Sequence, residues 1–221
     1  MKVLLDAGHG EDRFNRNDPG AIAFNKHEAE FTEQVAVKAV AILRKTFGVE
    51  AFVNRGVHPN ALHKKEYNPH NTPKWRIEDA KNIEADLFVS VHWNSSINPM
   101  ANGTEVLVNR NATRASRLLA ETILSHVMGS LTHYVRAKKI KTFVPKNRGV
   151  KHPIFSNSLG VLKQNIPCCL LECEFISHPD INYEMENPDY IWTLGYGLAK
   201  GIASYLGVTE DADLRHLAQK P

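Results

Sequence analysis

Two histidines, His9 and His92, and two glutamates, Glu28 and Glu172, are the residues of this 221-residue chain best suited to hydrolytic chemistry. Two imidazoles and one carboxylate can hold a zinc ion and leave its fourth position to water. A second carboxylate can take a proton from that water and hand it to a leaving amine. His9, Glu28 and His92 fit the ligand role, and Glu172 fits the base. Each residue type also has an ordinary use. A His after Gly is commonly a turn residue, and a Glu in a first helical turn is commonly a solvated partner of the helix dipole. Glu30 rivals Glu28, but two positions apart on a helix they share no face, so only one should reach a common ion. His27, beside Glu28, reads more readily as a surface loop residue.

These side chains are useful only if the chain brings them together. Residues 2–5 read as a short buried strand that ends at the turn Asp6-Ala7-Gly8-His9-Gly10. Residues 28–45 carry Phe31, Val35, Ala39 and Ile42 at helical spacing, with Glu28 and Glu30 in the first turn. Strands are expected over 49–53, 85–92, 104–108 and 167–175, the last of them buried with Glu172 near its end. Helices are expected over 75–83 and 114–134, and a last one follows the capping signal Asn187-Pro188 and stops before Gly207. Such alternation argues for an α/β fold, a sheet covered by helices on both faces. Ligand sites in such folds gather at the carboxyl ends of strands. His9, His92 and Glu172 all fall near such ends, and Glu28 opens a helix.

Composition narrows the class. Lys and Arg total 27 against 24 Asp and Glu, a net charge of +3, and 43% of residues are hydrophobic. That is ordinary for a folded domain and argues against disorder. A catalytic domain over 1–207 with a polar tail over 208–221 is expected. No apolar run approaches the roughly 20 residues of a membrane helix, so no integral membrane segment is expected. The N-terminus lacks the pattern of a signal peptide, which points to synthesis in the cytoplasm without a leader. Cys168, Cys169 and Cys173 read as small buried hydrophobes in a reducing compartment, because adjacent strand positions face opposite ways. Residues 136–151 hold seven basic residues and no acid. This is a solvated face, or a source of attraction to an anionic surface. With no recognised motif and Phe143 alone for stacking, nucleic acid is not an expected partner.

Several local strings, taken in order, carry a more specific signal. Asp6-Ala7-Gly8-His9-Gly10 followed by Asp18-Pro19-Gly20-Ala21 resembles the opening of the zinc-dependent N-acetylmuramoyl-L-alanine amidases, the amidase-3 family. Glu28-Ala29-Glu30 resembles that family's ligand glutamate, and the run from Asp86 to Asn94 its second histidine motif. Gly103-Thr104-Glu105-Val106, Arg148-Gly149-Val150-Lys151 and the run from Leu170 to Ser177 are similar to its later blocks.

The resemblance implies an α/β fold, a single-domain mixed, mostly parallel β-sheet flanked by helices on both faces. It implies hydrolysis of the amide between N-acetylmuramic acid and L-alanine of a stem peptide, with peptidoglycan as partner. By it, one zinc ion falls on His9, Glu28 and His92, and Glu172 is the catalytic carboxylate. Asn94, Arg148 and Glu174 are candidates for substrate binding. A monomer with an open cleft is expected, used in cell-wall lysis or remodelling, a phage endolysin included. The competing readings are a module that binds peptidoglycan without cutting it and a zinc peptidase acting on stem peptides.

The chain also departs from the family pattern. Residues 11–17 intervene between the first two turns and should reshape the rim of the site. Glu174 stands where the family has a small residue, and strand alternation would turn it to the face of Glu172. The loop over 55–74 holds His58, His63 and His70 without metal spacing; these are solvated, or the loop is a substrate lid. Asp6 either forms the turn or orients a ligand from behind.

Overall fold

The computed structural model describes residues 1–11, 17–63, 72–153 and 159–210. The chain begins with β1 (Lys2–Ala7) and two small ladders, β2 (Gly10–Glu11) with β3 (Asn17–Asp18) and β4 (Ile22–Ala23) with β5 (Lys26–His27). Next come α1 (Glu28–Thr46), β6 (Glu50–Arg55), β7 (Ala61–His63), α2 (Pro73–Asn82), β8 (Leu87–Asn94) and β9 (Thr104–Leu107). The chain continues through α3 (Arg114–Ala137), β10 (Asn147–Lys151), a 3-10 turn (Gly160–Leu162), β11 (Cys168–Phe175), α4 (Pro179–Glu184) and α5 (Pro188–Tyr205).

Seven strands form the main sheet in the order β10-β9-β11-β8-β1-β6-β7. Strands β11, β8, β1, β6 and β7 are mutually parallel; β9 is antiparallel to β11 and parallel to β10. The expected mixed, mostly parallel sheet is therefore the observed one. Its central strands are apolar on both sides because both faces are covered. Alternation sorts their side chains. Leu5, Val89, Cys169 and Leu171 join a large core under α1, α3 and α5. Leu4, Phe88, Cys168 and Leu170 join a smaller one under α2 and the 3-10 turn. The three cysteines are buried and free, with Cys168 and Cys169 on opposite faces as read from the sequence.

The helix ends follow local chemistry. Thr113 caps α3 by accepting from Ser116 N at 3.1 Å, and Asn187 caps α5 by accepting from Asp189 N at 3.0 Å. Two expectations need correction. The loop over 55–74 contains an edge strand, β7, too short for periodicity to reveal; residues 64–71, His70 among them, lie outside the described residues. The basic run is not one solvated face, since its end forms edge strand β10, where charged side chains are common. Of the insertion at 11–17, the described ends pair as β2–β3, and 12–16 lie outside the described residues. So does all of the expected tail beyond Glu210.

Candidate active site

The parallel strands all end at one edge of the sheet, and the candidate residues collect there. His9 sits two residues beyond β1, in a turn tied to β8 by Gly8 N donating to Val91 O at 3.0 Å. His92 lies within β8, and Glu28 is the first residue of α1. One ligand atom from each of His9, Glu28 and His92 lies within 4.8 Å of the other two. Glu28 bridges the pair: Oε2 is 3.2 Å from His9 Nε2, and Oε1 is 3.0 Å from His92 Nδ1. The two backbone donors Ala21 N and Trp93 N hold the Glu28 oxygens at 2.8 and 2.9 Å. Such a nitrogen and oxygen donor set, packed this closely, is one that zinc takes.

The small residues in the opening turns are spatial requirements. A Cβ on Gly8 would lie 2.4 Å from two ring atoms of His92. At Gly20, with φ of +68°, it would lie 2.6 Å from Glu28 Oε2 and 2.7 Å from His9 Cδ2. His9 itself holds a left-handed φ of 59°, uncommon for a side-chain-bearing residue. Behind it, both Asp18 oxygens lie 3.0 Å from His9 Nδ1, which leaves Nε2 to face Glu28. The rings of His9 and His92 meet edge-on at 4.8 Å, with side chains 24% and 18% exposed, so both remain reachable from solvent.

Electrostatics follow from this packing. Burial alone would raise the Glu28 carboxyl; hydrogen bonds and charge from His9 and His92 outweigh it and hold the group well below the usual carboxylate range. Burial alone would lower His9, but Glu28 and Asp18 raise it instead. Glu172 is the opposite case. Burial, then the nearby charges of Glu28 and Glu105, push it up to about 8. Its Oε2 is buried without a hydrogen-bond partner. In the sheet its Cα pairs with His92 on one side and Glu105 on the other.

Glu105 anchors the wall next to Glu172. It accepts from Asn94 Nδ2 at 3.1 Å, from Arg148 Nε at 2.5 Å and from Lys151 Nζ at 2.6 Å. Burial would raise its carboxyl, but Lys151 and Arg148 lower it, so it stays ionised. Arg148 also lies 4.9 Å from the Phe175 ring centroid. Asn94 and Arg148 thus meet on one carboxylate, Glu105, which stands in a quoted block but to which the sequence alone assigns no role.

Glu174 does not join the metal group as strand alternation suggested. The ladder shifts register between Glu172 and Phe175, and Glu174 is fully buried, with Oε2 accepting from Gly103 N at 2.5 Å. Burial raises it to about 7, against hydrogen bonds from Gly103 and Phe175. Glu30 is exposed while Glu28 is buried, so the helix presents only one of them to the site. His63 is not merely solvated: its Nε2 lies 2.9 Å from Asp79 Oδ1. Asp6 is fully buried and bonded to Asn54, Arg76 and Ser90 behind the turn. Asp18, Ser90, Asn94, Arg148 and Lys151 stand in quoted motifs, whereas nothing in the sequence singled out Asn54 or Arg76, the other partners of Asp6.

Comparison with known proteins agrees with this architecture. The family model Amidase_3, described as N-acetylmuramoyl-L-alanine amidase, matches residues 3–204. The solved N-acetylmuramoyl-L-alanine amidase of Clostridium difficile 630 is 29% identical with a TM-score of 0.74, covering 94% of this chain and 97% of that one. The catalytic domain of the CwlV amidase from Bacillus (Paenibacillus) polymyxa var. colistinus is 25% identical with a TM-score of 0.73, covering 95% and 99%. An uncharacterized cell wall amidase of Bacillus anthracis is 25% identical over 92% of this chain, which spans 35% of that relative's length. The matched span reaches from β1 into α5 and takes in His9, Glu28, His92 and Glu172, and the chain belongs to the Amidase_3 family of N-acetylmuramoyl-L-alanine amidases.

Proposed function

We propose that this chain is a zinc-dependent hydrolase of peptidoglycan that cuts the amide between N-acetylmuramic acid and the L-alanine of the stem peptide. The observation that carries the reading is the group His9, Glu28 and His92 at the strand ends, with Glu172 beside it on the neighbouring strand. His9, Glu28 and His92 would hold the ion. Bound there, zinc polarises the amide carbonyl and acidifies water.

The protein's own groups handle the proton. Burial raises the Glu172 carboxyl and a nearby dication would favour its ionised form, so the two act in opposite directions on the group that must first accept and then give a proton. Glu172 takes the proton of the attacking water and delivers it to the alanine nitrogen, which leaves poorly as an anion. Asp18 keeps His9 in one ring orientation throughout. Asn94 and Arg148, both bonded to Glu105, form the wall against which the substrate lies, and Glu174 supports that wall through Gly103. The activity serves wall lysis or remodelling.

The test is incubation of zinc-loaded protein with purified muropeptides, with and without chelator, followed by product masses. Release of free stem peptide beginning with L-alanine, abolished by chelator and restored by zinc, supports the reading. Products that keep alanine on muramic acid would make it a peptidase. Intact muropeptide bound by the protein would make it a binding module.

A further inference from the structure

Beneath the turn that carries His9 lie two buried arginines from distant elements. Arg55 ends β6 and Arg76 lies in α2; they are 6% and 4% exposed. Arg55 Nε donates to Ala7 O at 3.2 Å and to His9 O at 3.1 Å, while its Nη2 donates to Gly8 O and Ala29 O, both at 2.8 Å. Arg76 Nη1 donates to Ala7 O and Nη2 to His9 O, each at 2.8 Å. Thr32 Oγ1 adds a donor to Gly8 O at 2.8 Å. Of three consecutive carbonyls, those of Ala7 and His9 accept from both guanidinium groups and that of Gly8 from Arg55 and Thr32.

Carbonyl dipoles aimed into one space repel one another and need donors as they are buried. Two planar forks resolve this because each spans at least two carbonyls at once, which a lysine ammonium does less well. Two buried cations so near the site would oppose a metal dication. Each brings its own carboxylate: Arg76 pairs with the fully buried Asp6, and Arg55 Nη1 with Glu33 at 2.6 Å. The result is a charge-balanced clamp that grips the backbone carbonyls of Ala7, Gly8 and His9.

We propose that Arg55 and Arg76 are positioning residues that lock the His9 backbone in its left-handed conformation, so that Nε2 faces Glu28 and His92. The inference rests on the zinc reading above and extends it. The arginines come from the end of β6 and from within α2, so the pose of His9 depends on both elements being packed beneath it.

The experiment uses the full chain and the variants Arg55→Lys, Arg76→Lys and Thr32→Val, with Tyr134→Phe as a control in the hydrogen-bonded cluster of Tyr134, Glu184 and Asn187. Zinc Kd is measured by chelator competition, and the visible spectrum of the cobalt-loaded protein reports ligand geometry. Folding is followed by circular dichroism. Each arginine variant is expected to weaken zinc by about 10–100-fold and to shift the cobalt bands. Thr32→Val, which removes one grip without removing a charge, should do the same to a smaller degree. Tyr134→Phe should lower stability with Kd unchanged. Zinc affinity and cobalt spectrum equal to the parent in folded Arg76→Lys or Thr32→Val would overturn the clamp. Failure of the parent itself to bind zinc would sink the zinc reading separately. The clamp would then be judged in metal-free protein by the His9 Nδ1–H resonance, expected sharp in the parent and exchange-broadened in the variants; the same sharp signal in both would overturn it.

Discussion

Glu172 and Asp18 show how little chemistry each side chain does without its surroundings. Under the proposed function Glu172 carries the proton, and in the metal-free protein burial beside Glu28 and Glu105 raises its carboxyl. Replacing it with Gln keeps the shape and removes the proton exchange. Glu172→Gln should retain one zinc by metal analysis while turnover on muropeptides falls by about 10²–10⁴-fold, the usual worth of a general base. Turnover within tenfold of the parent would move the base elsewhere. Asp18 touches no substrate in this reading; it fixes the His9 ring through Nδ1. Asp18→Asn should weaken zinc by about 10–100-fold with little change in melting temperature, because Asp18 is half-exposed. Unchanged zinc affinity would show that the turn alone orients the ring.

Among the elements, the close packing of α3 against α5 is the plainest consequence of small residues in a helix. A Cβ at Gly201 would sit 2.7 Å from Ile123 Cα, and one at Gly197 2.8 Å from Val127 Cα. Backbone cannot swing aside as a flexible side chain can. In isolation Gly→Ala gains about 1 kcal/mol of helix propensity, whereas overpacking costs about 1–3 kcal/mol. The second effect should win. Gly201→Ala is expected to lower unfolding stability by roughly 1–2 kcal/mol with zinc affinity unchanged, since α5 supplies no ligand. A stabilised variant would mean the helices separate at negligible cost.

Across the whole molecule, buried carboxyls tie stability to pH. Glu172 is raised to about 8 and Glu174 to about 7 from an ordinary 4.5. A raised carboxyl binds its proton more tightly when folded, so the folded state holds more protons than the unfolded chain between those limits. The contribution is full below about pH 4.5 and is lost as pH rises through the folded values. Metal-free protein should therefore unfold in less urea at pH 8.5 than at pH 5.5, and Glu172→Gln should flatten that slope. An equal slope in parent and variant would remove Glu172 from the account. Zinc-loaded protein needs separate treatment, because a nearby dication favours the ionised form.

Much of this molecule was readable before any coordinates. Continuous apolar runs marked the central strands, helical spacing marked α1 and α3, and Asn187-Pro188 with Gly207 marked the ends of α5. The quoted strings named the residues that the fold gathers at 4.8 Å, because short-range order and chain sequence carry those motifs intact. What stayed hidden depends on contacts between segments far apart in the chain. Alternation on β11 put Glu174 beside Glu172, but a register shift against β8 and the Gly103 amide took it into the interior. Arg148 and Lys151 read as part of a basic face, until β10 set them against Glu105 across the sheet. Arg55 and Arg76 carried no signal, because what they bind is carbonyl, which every residue has. A chain spells out its local periodicities and its order of motifs; which polar groups are buried together follows from strand order and register, and burial is what gives each of them its charge state.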